Sequence, residues 1–231
     1  MMPAYDEFKA RADAVRARIA LACERAGRDA AGVELLAVTK SHPAAAVELA
    51  ARYGLRAVGE NRVQEGVEKR AQTLAKVAWE LIGHLQTNKA RLAARHFDRI
   101  QSVDSERLLG VLDRAGGELG RPVAVLLQVN AGLDPAKSGV EPDEAPRLLA
   151  AALGLRNIRV DGLMTIAPLF GGPDAPRRTF ASLRGIRDRL AAESGSPLRE
   201  LSMGMTADLE AAVAEGSTIV RVGTALFGAR E

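Results

Sequence analysis

Lys40 closes the stretch VELLAVTK (33–40), where seven mostly apolar, strand-forming residues run into a primary amine. The chain then turns at SHP and resumes as a helix. Lysine is scarce here, six against 26 arginines, and an amine has chemistry that a guanidinium lacks. Burial against an apolar wall lowers the pKa of a lysine. The neutral amine then attacks a carbonyl and forms a Schiff base. The structural alternative is a lysine that lays its stem along a strand end and keeps its head in water. Spacing alone leaves both open.

A second constellation lies near the C-terminus, in LSMGM (201–205) and RVGTALFG (221–228). Ser202 and Thr224 offer hydroxyls, and Gly204 and Gly223 allow close backbone approach. A helix expected from about Thr206 would add its N-terminal dipole. Either segment alone reads as a turn. Together with Lys40 they define a pocket for a molecule carrying an aldehyde and a phosphate. Pyridoxal 5′-phosphate (PLP) fits, and so does a sugar phosphate held by a Schiff-base aldolase without PLP, which would purify colourless. Arg221 precedes Gly223 by two residues and shares its strand face. Arginine stays protonated, so against a pyridine nitrogen it only donates. The ring then stays largely unprotonated and is a weaker electron sink, which disfavours carbanion chemistry. The alternative is an interior arginine paired with an acid.

These residues need elements to carry them. Phe8, Ala12, Val15, Ile19 and Ala22 are spaced for one face of an opening helix, which stops near Gly27. From residue 33 the chain alternates strand and helix. Strands are expected at 33–40, 55–60, 77–84, 98–105, 122–130, 158–168, 200–205 and within 217–228, with helices between them. Pro43 suits a first helical turn and Thr87 an N-cap. Eight such units predict a parallel sheet closed into a (β/α)8 TIM barrel with an extra N-terminal helix. An open doubly wound sheet would want a glycine-rich turn after its first strand, and TKSHP is not one. In a barrel the site lies at the C-terminal ends of the strands, which aims Lys40 into the mouth.

Composition agrees. At 231 residues and 47% apolar, the chain has the length and core material for one barrel, a single domain over 1–231. Aromatic content is 3% and net charge only +3, without a basic run, which argues against nucleic-acid binding. Cys23 is the one cysteine, so no disulfide framework or cysteine zinc site forms within the chain. That suits a reducing cytosol. The N-terminus lacks a signal-peptide core, and no apolar run reaches membrane-span length. A soluble cytoplasmic protein is expected. His42, His84 and His96 have no metal-ligand spacing.

The motifs LLAVTKSHP, GENRVQEG, ELIGHLQTNKAR, KSGV, DGLMTIAP and LSMGMTADLEAAVAEGSTIVRVGTALFGAR occur in order along the chain. It closely resembles the YggS/PROSC family of PLP-binding homeostasis proteins, whose fold is similar to the barrel domain of bacterial alanine racemases. The resemblance implies that Lys40 carries PLP as an internal aldimine. It implies that Ser202, Gly223 and Thr224 hold the phosphate, and that Arg221 meets the pyridine nitrogen. Asn61 resembles a family residue close to the ring, with a helix N-cap as its structural alternative. His84 should lie near the mouth and reads as structural. Gln86, Asn88 and Lys89 belong to a signature whose role the residues do not explain. Lys137 reads as a solvated loop residue, with a second amine near the cofactor as the alternative. Met164, Met203 and Met205 read as soft packing around mouth and core.

Racemisation needs an acid/base pair on opposite faces of Cα. In alanine racemases that pair is the Schiff-base lysine and a tyrosine from a second domain of the partner subunit. Only Tyr5 and Tyr53 occur here, neither well placed for the mouth, and no second domain is expected. The reading is a monomeric PLP carrier acting in vitamin B6 and amino-acid balance, with apo forms of PLP enzymes as candidate partners. The alternative is an amino-acid racemase.

Overall fold

A computed structural model describes residues 2–228; Ala229 and Arg230, which end the last motif, lie outside them. Helix α1 (Tyr5–Arg25) opens the chain, with Asp6 and Glu7 in its first turn and Arg25 in its last, as the helix dipole favours. Its buried stripe is the expected one plus Cys23. Gly27 ends it at φ +64°, with Arg28 N–H bonded to the Cys23 carbonyl at 2.9 Å, a reversal that a residue without Cβ makes at little cost.

Strands and helices then alternate. The strands are β1 (Glu34–Val38), β2 (Ala57–Glu60), β3 (Ala78–Leu81), β4 (Arg99–Val103), β5 (Val123–Gln128), β6 (Ile158–Met164), β7 (Glu200–Ser202) and β8 (Ile219–Val222). Between them run α2 (Ala45–Tyr53), α3 (Val63–Ala71), α4 (Ala90–His96), α5 (Glu106–Leu119), α6 (Ala145–Leu153), α7 (Ala175–Ser194) and α8 (Leu209–Ala214), with α9 (Thr224–Phe227) last. Among the described residues the eight strands close in sequence order, β1 pairing in parallel with both β2 and β8. No helix among them is long and apolar enough to cross a membrane.

Three local expectations are corrected. The TNKARLAARH segment begins with a 3-10 turn at Thr87–Lys89, and Thr87 caps nothing. Pro43 stands just outside α2, because Lys40 and Ser41 first complete a turn. Helix α8 begins three residues later than Thr206. Asp208 accepts the Met205 N–H at 2.6 Å, and this side-chain bond substitutes for a first helical turn.

Alternation along each strand sorts side chains into two populations. Outward residues such as Ala37, Val58, Leu81 and Val125 join the shell under the helices, with Trp79, Phe97 and Phe180 fully buried. Each such large side chain contributes about 1.5–3 kcal/mol. Inward, Leu36, Val38, Ala57, Ile82 and Ile219 form a separate small cluster. Below it, at the N-terminal end, the barrel is charged. Arg99 meets Glu80 at 2.6 Å, Asp161 at 3.7 Å and Glu200 at 3.8 Å. Asp161 is the surplus residue where β5–β6 pairing shifts from Val125↔Val160 to Leu126↔Gly162, a bulge that re-aims its carboxylate.

Candidate functional site

At the C-terminal end of the strands the interior opens into a cavity of about 430 Å³, within the range of roughly 300–1,000 Å³ usual for small-molecule sites. Lys40 lies on its wall, half-buried. Leu36 and Val38 point inward along β1, and two further residues of the same parity bring Lys40 to the mouth. It sits in a turn between Thr39, fully buried, and Ser41, which has φ +61°.

Asn61 follows β2 and lines the same cavity. It is not a helix cap, since the residue before α3 is Arg62. A Cβ at Gly83 would collide with the Asn61 backbone, so the ends of β2 and β3 close up only because that residue is glycine. On the other flank of β1, β8 brings Arg221, Gly223 and Thr224 to the same cavity, which Met205, Thr206 and Ala207 also line. A Cβ on Gly223 would come within 3.2 Å of the Val38 carbonyl oxygen. Gly204 adopts φ +92°, and a Cβ there would collide with Ala212.

Arg221 is 4% exposed yet reaches the cavity wall. Its guanidinium donates to the Ser202 hydroxyl at 2.7 Å and to the Thr165 carbonyl at 2.8 Å. Burial pushes its pKa down to about 10, opposed by the charge of Asp208, so it remains a cation at neutral pH. Neither near partner is an acid, unlike the structural alternative of an acid-paired interior arginine.

Ser202 departs from the expectation of a phosphate contact. It is fully buried and does not line the cavity. Its hydroxyl donates to Gln101 Oε1 at 2.6 Å while accepting from Arg221. Gln101 in turn donates to Glu80. Because arginine only donates and a carboxylate only accepts, the direction of every bond in this chain is fixed. Ser202 thus supports Arg221 from below, while at this end of the cavity residues 205–207, 223 and 224 form the lining.

Lys137 is also corrected. It lines the cavity with Ala136 and Ser138, half-buried, because the loop after β5 folds back over the mouth: the Val140 N–H bonds to the Gln128 carbonyl at 3.0 Å and the Asn130 N–H to the Val140 carbonyl at 2.8 Å. His84 lines the mouth, its Nδ1 3.6 Å from Asp104. Burial raises the Asp104 pKa, opposed by His84. Gln86, Asn88 and Lys89 do not line the cavity. Met205 does, whereas Met164 and Met203 are fully buried. Gln128 was missed, although its inward parity on β5 was a usable signal. The tyrosines lie elsewhere. Tyr53 donates to Asp13 at 2.7 Å and Tyr5 stacks against Arg52.

Residues 11–231 match the family model described as alanine racemase, N-terminal domain. A protein of Pseudomonas aeruginosa named pyridoxal phosphate homeostasis protein is 44% identical over 94% of this chain and 93% of its own length. One of the same name from Escherichia coli is 40% identical over 94% of each. The chain belongs to the pyridoxal phosphate homeostasis proteins of the alanine racemase N-terminal domain family. Among solved structures, PipY of Synechococcus elongatus with PLP bound superposes with a TM-score of 0.84, at 42% identity, over 96% of this chain and all of that one. An alanine racemase of Clostridium difficile superposes at 0.78 over 97% of this chain and 57% of its own, at 15% identity, and so shares the fold.

The cavity suits the cofactor that the PipY structure contains. An aldehyde and a phosphate call for an amine and for close backbone approach. Lys40 and Gly223 supply them around one space, which Arg221 also lines.

Proposed function

We propose that this chain, acting as a single barrel domain, holds PLP covalently on Lys40 and serves PLP homeostasis rather than efficient catalysis. The observation that carries the reading is that Lys40 and Arg221 line one cavity, an amine together with a buried cation whose hydrogen-bond partners are neutral. Condensation of the Lys40 amine with the cofactor aldehyde releases one water and leaves a C=N bond. Gly223, Thr224 and the backbone of 205–207 would hold the phosphate, Arg221 would donate to the pyridine nitrogen, and Asn61 would flank the ring. Ser202 and Gln101 would keep Arg221 oriented.

Racemisation needs a second acid/base group across from Lys40. Tyr53 is tied to Asp13, and burial together with that bond pushes its pKa up to about 12. Tyr5 sits against Arg52 on the outer helices. Both are away from the cavity, which supports a carrier over a racemase that uses a lysine–tyrosine pair.

Borohydride treatment of the PLP-loaded protein followed by peptide mapping tests the attachment: the label is expected on Lys40, and an unlabelled Lys40 overturns the reading. Incubation with L-alanine and other L-amino acids, followed by chiral analysis, tests the carrier role. Sustained conversion to the D-form, lost on Lys40→Ala, would make the protein a racemase.

A further inference from the structure

Behind the Lys40 turn, on the outer side of the barrel wall, lies a buried ionic cluster that the proposed function does not use. Glu60 ends β2 pointing outward and is fully buried. Lys69 of α3 is 5% exposed. Its ammonium lies 2.5 Å from Glu60 Oε1, 3.1 Å from Glu65 Oε1 and 2.8 Å from the Thr39 carbonyl, which accounts for all three of its donors. The Thr39 hydroxyl also donates to Glu60 Oε1, at 2.6 Å. Glu65 accepts the Ser41 N–H. Glu60 Oε2 is buried without a partner, a cost that folded proteins seldom leave in place. Neither carboxylate nor Lys69 lines the cavity.

The cluster therefore grips the backbone on both sides of Lys40. Lys69 holds the carbonyl of the residue before it, and Glu65 holds the amide of the residue after it. Ser41 sits at φ +61°, a left-handed conformation that an L residue keeps only when its surroundings impose it. A lysine side chain is long and rich in rotamers, so the position of its Cα decides how often its nitrogen meets an aldehyde.

We propose that Lys69, Glu65 and Glu60 are positioning residues that lock the 39–41 turn and so present the Lys40 amine to the PLP aldehyde. This rests on the reading of Lys40 as the attachment point. It makes α3 part of the cofactor site without touching the cofactor, and any movement of α3 would alter the hold on PLP.

The test uses the full chain, stripped of PLP and titrated with PLP while the visible absorbance band is followed. Glu65 is partly exposed, its side chain 25% accessible, so Glu65→Ala should leave the fold intact. It should weaken PLP binding about tenfold, the effect of losing one charge-assisted hydrogen bond at the site, and speed exchange of the Ser41 amide. Glu65→Gln, which keeps an acceptor oxygen, should restore most of the affinity. The pair Glu60→Gln with Lys69→Met removes both buried charges together and should weaken binding similarly. Wild-type affinity in Glu65→Ala, or a loss that follows the melting temperature with Ser41 exchange unchanged, would overturn the proposal. Borohydride labelling of the wild type separates the two failures. An unlabelled Lys40 defeats the attachment reading, whereas a labelled Lys40 with wild-type affinity in Glu65→Ala defeats only the positioning role.

Discussion

Two arginines lie inside this barrel, and their surroundings could hardly differ more. Arg99, near the N-terminal end, meets Glu80, Asp161 and Glu200. Burial lowers its pKa, but these acids, Glu80 foremost, outweigh it and leave the pKa raised. Arg221, near the C-terminal end, has a hydroxyl and a carbonyl as partners, and burial pushes its pKa down to about 10. The first charge is neutralised where it stands and serves to fill the barrel. The second is hydrogen-bonded by neutral groups and lines the cavity. Glu80, Gln101 and Ser202 join the two in one hydrogen-bonded chain. The lesson is that a buried ion's partners, more than its burial, separate a structural charge from one available to a ligand.

If the mouth is the working end, Lys40→Ala should abolish the borohydride-stable link at that position while the melting temperature barely moves, because one mouth residue adds little to the core. Loss of folding in that variant would break the division between the two ends. At the other end Arg99→Leu should destabilise by about 3 kcal/mol in urea unfolding, since it strands buried carboxylates. Its visible spectrum with PLP should be unchanged.

The pH dependence of Arg99→Leu sharpens the point. Burial first, then Glu80, already raises the Glu34 pKa above its ordinary 4.5, and Arg99 opposes this. Without Arg99 nothing opposes that rise, and Glu34 binds its proton still more tightly in the native state than in the unfolded one. The contribution of Glu34 is then fully present below pH 4.5 and lost as pH rises through its folded value. The defect should thus be larger at neutral pH than in acid.

Arg221→Glu should cost about 1–3 kcal/mol of stability, the scale for a buried polar group left poorly matched. It should also shift the spectrum of bound PLP by letting the ring nitrogen protonate. An unchanged spectrum would argue against that contact. The smallest effect belongs to Tyr53→Phe, below about 1 kcal/mol for one partly exposed hydrogen bond. The raised pKa means that the Tyr53 phenol stabilises the fold below pH 10 and loses that contribution as pH rises toward about 12. Alkaline unfolding of wild type and variant should converge over that interval.

Much of the frame was legible because period and punctuation are local. The helices expected between the strands include 106–119 and 175–194, which are α5 and α7, the first capped by Ser105. The less regular stretches gave way where a side chain competed with the backbone. Asp208 captured the Met205 amide and delayed α8. Strand parity brought Lys40, Arg221 and Gly223 to one interior, and all three line the cavity along with Asn61 and Thr224.

What the amino-acid order determined alone was the eightfold alternation and the inward parity of Lys40 and Arg221, since both follow from periods of 3.6 and 2. Only the folded chain decided that Ser202 lies beneath the cavity, that Lys137 lines it, and that Lys69 and Glu65 grip the turn around Lys40. Those facts depend on loops and on contacts between elements distant in sequence, which no local pattern encodes.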